Sequence, residues 1–171
     1  MAKSKTHHAS TTPDFFELLR AGTHALQLGK TDQACKLLER AHKLNPDDYH
    51  ATLNLAGAYI LSKKFGPAIN LLEPLSQREP TDPMVWTNLG AAYLGNPVLA
   101  KDTEHQRAIA AFQKAYELNP QAPNVAYNLG LIHMDRQETG EAMAWFKRAL
   151  ATNPADKDAQ KYLERLSQSI I

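Results

Sequence analysis

VWTNLGAAYL, residues Val85 to Leu94, carries Trp86, Leu89, Gly90 and Tyr93 at spacings that put all four on one face of an α-helix. Glycine inside a helix costs about 1 kcal/mol relative to alanine, so Gly90 in the middle of a packing stripe needs a cause. The cause recurs along the chain. The same places hold Leu55, Ala56 and Tyr59 upstream, Leu129, Gly130 and His133 downstream, and Ala21, Gly22 and Ala25 near the start. A small residue where two helices cross lets their backbones approach, while large neighbours such as Tyr59 or Phe112 fill the flanks.

Each stretch is followed by a second pattern. Ala34, Ala68, Ala108 and Ala142 head it, Leu38, Leu72, Phe112 and Phe146 come four residues later, and Ala41, Leu75, Ala115 and Ala149 three after that. These spacings again share one helical face. Pro46, Pro80, Pro120 and Pro154 close the second helices. They are 34, 40 and 34 residues apart, and three of them follow an asparagine. Proline has no N–H to donate and disfavours helix in the residue before it. The unit is a helical hairpin, present four times. After Pro154, Ala159, Tyr162, Leu163 and Leu166 mark one more amphipathic helix, with Lys157, Asp158, Lys161, Glu164 and Arg165 keeping its outer face polar.

VWTNLGAAYL and the alanine, large-apolar, alanine and proline columns behind it resemble the tetratricopeptide repeat family over Phe15 to about Asp156. Trp86 has Leu18, Thr52 and Ala126 as counterparts, and His133 stands where tyrosine is usual. The resemblance implies an all-α, right-handed α-solenoid of four helix-turn-helix repeats with a C-terminal capping helix. The expected division is a disordered tail over 1–12 and a repeat domain over 13–171. Its repeats fall at about 15–48, 49–82, 83–122 and 123–156, with the capping helix at 157–168.

Lys and Arg total 19 against 18 Asp and Glu, a balance that gives no long-range field towards nucleic acid or an anionic membrane. No stretch of the chain has the apolar run of a signal peptide or a membrane span. One cysteine, Cys35, forms no disulfide framework and fits a reducing compartment. The expectation is a soluble cytoplasmic protein. No Cys/His cluster, HExxH, phosphate-cradling glycine loop or GxSxG elbow occurs, so no metal, cofactor or enzymatic activity is expected. His7 and His8 read as solvated tail residues, and Glu138 and Glu141 as exposed helix starts. Cys35 and His133 read as packing residues.

The 40-residue spacing places six extra residues between Tyr93 and Ala108. Gly95 and Asn96-Pro97 are expected to end one helix, and Thr103 with Gln106 to cap the next. The surplus belongs to the turn of the third hairpin and can lengthen its second helix. Two readings stand: a contact finger carrying Lys101, Asp102, Glu104, His105 and Arg107, or a tolerated loop extension.

Packing leaves Asn54, Asn88 and Asn128 unexplained. They share one column immediately before the inward leucines, although asparagine is a mediocre helix former. In the family this chain resembles, first helices line a concave groove, and asparagines in this column commonly reach the backbone of a bound extended peptide. A carboxamide donates and accepts together, which suits a peptide group of any sequence. The alternative is hydrogen bonding within the solenoid or to water. The resemblance adds Arg20, Thr23, Leu53, Met84, Thr87, Tyr127, Leu131, Lys161 and Tyr162 to the groove, an apolar and amide-rich lining. A family clamp for chaperone-tail carboxylates is not expected, because Leu19 and Met84 hold the cationic places and Asn88 stands where arginine is needed. The expected function is a non-catalytic module that grips a peptide segment of a partner protein, as a monomer. The other reading is an assembly factor or self-associating scaffold that uses the solenoid's edges and ends.

Overall fold

The computed structural model describes residues 14–95 and 101–168. The expected disordered tail and the Ile170-Ile171 end lie outside them. Among the described residues there are nine helices and no strand. Four hairpins follow one another: α1 (Phe15–Gln27) with α2 (Thr31–Leu44), α3 (Tyr49–Leu61) with α4 (Phe65–Arg78), α5 (Pro83–Leu94) with α6 (Asp102–Leu118), and α7 (Val125–Asp135) with α8 (Thr139–Thr152). A last helix, α9 (Lys157–Gln168), packs on α8.

The small column is a contact between backbone and side chain within each hairpin. A Cβ added to Gly22 would lie 2.6 Å from Leu38 Cγ, and one on Gly90 or Gly130 would lie 2.8 Å from the ring of Phe112 or Phe146. Phe112 and Phe146 are fully buried, so they cannot swing aside. Gly57 is different: its Cβ would meet nothing nearer than Leu26 Cδ2 at 4.0 Å. The other columns pack between hairpins. Val85, Leu89 and Ala92 share a core with Leu72 and Leu75. Val125, Leu129 and Ile132 share the next with Phe112 and Ala115.

Aspartates start the first helix of most hairpins. Asp14 accepts from the N–H of Glu17 (2.8 Å), Asp48 from that of Ala51 (2.7 Å), Asp82 from that of Met84 (2.8 Å) and Asp156 from that of Ala159 (3.0 Å). Asp82 also accepts the Tyr49 hydroxyl, joining the starts of α3 and α5, and burial with this bond pushes the phenol well above its ordinary range. Ala122 occupies the same frame position in the fourth hairpin and cannot cap. There the chain turns through Asn124 in the left-handed region (φ 62°), and α7 begins only at Val125 without a side-chain cap. Ala122→Asp is expected to restart α7 about one half-turn earlier, with Pro123 at its first position as Pro83 is in α5, and to raise stability by about 1 kcal/mol. Thermal melting checks this, and an unchanged or lower midpoint refutes it.

The third hairpin takes up part of its surplus as helix. Gly95 ends α5 at φ 57°, as expected, but the cap of α6 is Lys101 rather than Thr103. The reason is Glu104, whose carboxylate accepts the Lys101 N–H (2.9 Å) and also the Thr103 hydroxyl (3.1 Å). Gln106 instead donates to Asp102 at 2.7 Å. Helix α6 has 17 residues against 14 in α2, α4 and α8. The first two turns of α6 are bonded in both directions. Asp102 pairs with Arg136 after α7, and Arg107 pairs with Glu73 of α4 (2.5 Å) while lying 4.0 Å over the Tyr93 ring. His105 is buried at 7% exposure, so it is no part of an outward finger.

The two ends of the stack differ from its interior. The inter-hairpin columns continue into α1 as Glu17, Ala21 and His24, all exposed, so Ala21 does not join the core that Leu55, Leu89 and Leu129 enter. In α9 the intra-hairpin columns become Gln160, Glu164 and Ser167, also exposed.

Candidate interaction site

Helix α1 touches α3 and α3 touches α5, whereas even-numbered helices meet mainly the helices before and after them in sequence. The odd-numbered helices therefore stand closest together and form the inside of the curve. This face carries the asparagine column. Asn54, Asn88 and Asn128 are all half-buried there. Asn54 donates to the Thr23 hydroxyl at 2.9 Å, so part of its capacity is used within the solenoid. Among the described residues, the Asn88 and Asn128 carboxamides have no hydrogen-bond partner; each has one acceptor and two donors to offer.

The other expected lining residues divide. Arg20 and Lys161 are exposed, and Met84 is 59% exposed. Thr87 turns its hydroxyl into its own helix, donating to Pro83 O at 2.7 Å, which leaves its methyl as the contact surface. Leu53 is corrected: at 5% exposure it packs with Ala56, Leu72 and Leu89 and has little area for a ligand. Tyr127, Leu131 and Tyr162 belong partly to the terminal core. Tyr162 stacks on Phe146 at 5.4 Å between centroids, and Tyr127 meets the same ring at 5.9 Å. Burial raises the Tyr127 phenol's pKa, so it stays a neutral donor near neutral pH.

Sequence reasoning missed the loop between α6 and α7 as part of this face. Asn119 and Ala122-Pro123-Asn124 face Pro83, Met84, Thr87 and Asn88 across a recess of about 280 Å³. On the loop's other side a recess of about 230 Å³ opens against Tyr127, Ala149 and Asn153. The readable signal was Ala122 in a column of aspartates.

The shifted carboxylate at the outer edge serves structure. Glu138 accepts from Arg136 Nε (2.8 Å) and pairs with His133 Nδ1 (2.6 Å). The His133 bond, then the Arg136 bond, holds the carboxyl below its ordinary range. A depressed folded-state pKa gives stability that is present above the unfolded carboxylate value of about 4.3 and lost as pH falls through the folded value. Melting midpoints measured from pH 7 down to pH 3 are expected to fall less steeply for Glu138→Gln than for the native chain. Parallel curves would refute the assignment.

Two family models described as tetratricopeptide repeat match residues 25–92 and 98–159. The chain belongs to the tetratricopeptide repeat family. Its hairpins are then tetratricopeptide repeats, a fold that serves protein–protein interaction. The chain is similar to the BBSome complex member BBS4 of Bos taurus, 26% identical over 84% of this chain and 27% of that protein. It is also similar to the peroxisomal targeting signal receptor of Kluyveromyces lactis, 29% identical over 58% of this chain and 17% of the receptor. It thus spans about a quarter or less of these relatives. Among solved tetratricopeptide structures, the thermophilic protein TTC0263 of Thermus thermophilus superposes with TM-score 0.77 at 27% identity, covering 92% of this chain and 83% of that one. MamA of Desulfovibrio magneticus gives TM-score 0.71 at 23% identity over 84% and 78%, a likeness of fold.

Proposed function

We propose that this repeat protein holds an extended segment of a partner protein along the inner faces of α1, α3, α5 and α7. The observation that carries the reading is the asparagine column, in which Asn88 and Asn128, half-buried, have no hydrogen-bond partner among the described residues. A half-buried carboxamide facing the inside of a curve can pair with a peptide group, and successive hairpins repeat the offer in register. A pre-formed scaffold leaves only the partner's segment to be ordered on binding. One relative is by name a receptor for a targeting signal and another a member of a complex, which is compatible with such a role. The proposed setting is the cytoplasm; no helix among the described residues is long and apolar enough to cross a membrane.

The test is capture of partners from native extract by the intact chain and by the Asn54→Ala, Asn88→Ala, Asn128→Ala triple variant. Loss of the captured proteins by a folded variant supports the groove, and undiminished capture sinks it. The polar outer face of α9, with Gln160, Glu164 and Ser167 exposed, favours a monomer over end-to-end assembly. Light scattering over a dilution series is expected to return one mass near 19.0 kDa throughout. A mass rising with concentration would favour a self-associating scaffold.

A further inference from the structure

The recess between α5 and the α6–α7 loop has a structural origin that the other hairpin junctions lack. Asp48, Asp82 and Asp156 cap α3, α5 and α9, but Ala122 leaves α7 to start at Val125, so its missing first half-turn opens a notch beside Asn88. The contact that α1 makes with α3, and α3 with α5, has no equal between α5 and α7. Pro83, Met84, Ala122 and Pro123 supply apolar walls, and the unbonded Asn88 carboxamide stands at the rim with Asn124. Thr87 adds a methyl, because its hydroxyl is engaged with Pro83 O. Asn119 is likewise engaged, accepting the Gln121 N–H at 2.9 Å.

We propose that this notch is a specificity pocket for one uncharged aliphatic side chain, leucine or methionine in size, on the partner's extended segment. The inference rests on the groove reading and adds a register to it: the anchor residue sits in the notch while Asn88 pairs with its peptide group. Charge selects the occupant. Among the described residues no ionised side chain lines the recess, so a lysine or glutamate would lose water there against apolar walls and neutral amides, with no counter-charge. An aliphatic side chain gains by leaving water and has no polar group to desolvate. About 280 Å³ gives it room without rearrangement. Met84, 59% exposed and flexible, can close over it.

The experiment uses the full chain labelled at its methionine methyl groups and three blocked heptapeptides, Ser-Thr-Ala-X-Ala-Thr-Ser with X as Leu, Lys or Glu. The Leu peptide is expected to shift the Met84 methyl resonance, to leave Met143 on α8 in place, and to bind about tenfold more tightly than the Lys or Glu peptide. Met84→Glu, an exposed change that leaves the fold intact, is expected to reverse the preference towards Lys. Equal affinity for all three peptides, or binding that leaves Met84 unmoved, overturns the pocket and leaves the groove standing. Failure of every peptide to bind at millimolar concentration overturns both.

Discussion

Gly90→Val is expected to lower stability by about 3 kcal/mol, and Gly57→Ala to raise it by up to about 1 kcal/mol. Both glycines lie in first helices of neighbouring hairpins, and helix propensity favours replacing either. They differ in what stands opposite. A Cβ at Gly90 would come within 2.8 Å of the Phe112 ring, and that ring is enclosed on all sides. Overpacking of this kind outweighs the gain in backbone entropy, and the branched valine leaves no rotamer that avoids the ring. At Gly57 the nearest atom is 4.0 Å away, an ordinary contact, so the propensity gain survives. For a chain of this length the midpoints should move by roughly −6 to −12 °C and by up to about +4 °C. Thermal unfolding followed by circular dichroism decides it: a Gly90→Val midpoint at or above that of the native chain would show that the glycine column does not set the helix crossing.

The asparagines should separate by what each is already bonded to. Asn88→Ala with Asn128→Ala removes carboxamides that have no internal partner, so stability should hold while partner binding weakens. At about 1 kcal/mol net for each lost hydrogen bond, the pair should cost at least about 2 kcal/mol, roughly 30-fold in affinity. Asn54→Ala breaks the 2.9 Å bond to Thr23 and should instead lower stability by about 1 kcal/mol, with a smaller effect on capture. Titration calorimetry against the captured partner, alongside melting, reads both quantities. The proposal is lost if the double variant binds as the native chain does, and the ranking is lost if Asn54→Ala weakens binding most.

Both predictions start from columns legible in the sequence. Gly90 with Phe112 and Gly130 with Phe146 are complementary in size, and a spacing of 34 or 40 residues is enough to align them. That periodicity determined the hairpins, their number and the inward faces, because a helix that must bury one stripe against its neighbour repeats its small and large residues in register. It also brought out the asparagine column, as polar residues the packing did not need. The column of capping aspartates went unread, and with it Ala122, the sign of a short α7.

Tertiary structure alone decided which column members reach solvent. Leu53 enters the core although its neighbours along the column line the curve, Ala21 is exposed where its counterparts are buried, and His105 is buried within a segment that reads as polar. These outcomes depend on what stands opposite, which helical period does not contain. The surplus in the third hairpin is the clearest case. Its composition allowed either a contact finger or slack, but the extra turn of α6 ties Asp102 to Arg136, 34 residues away along the chain, and the turn that follows ties Arg107 to Glu73 at the same separation. Only packing neighbouring hairpins side by side brings those charges together, so it was the stacking of the repeats that made the insertion a brace.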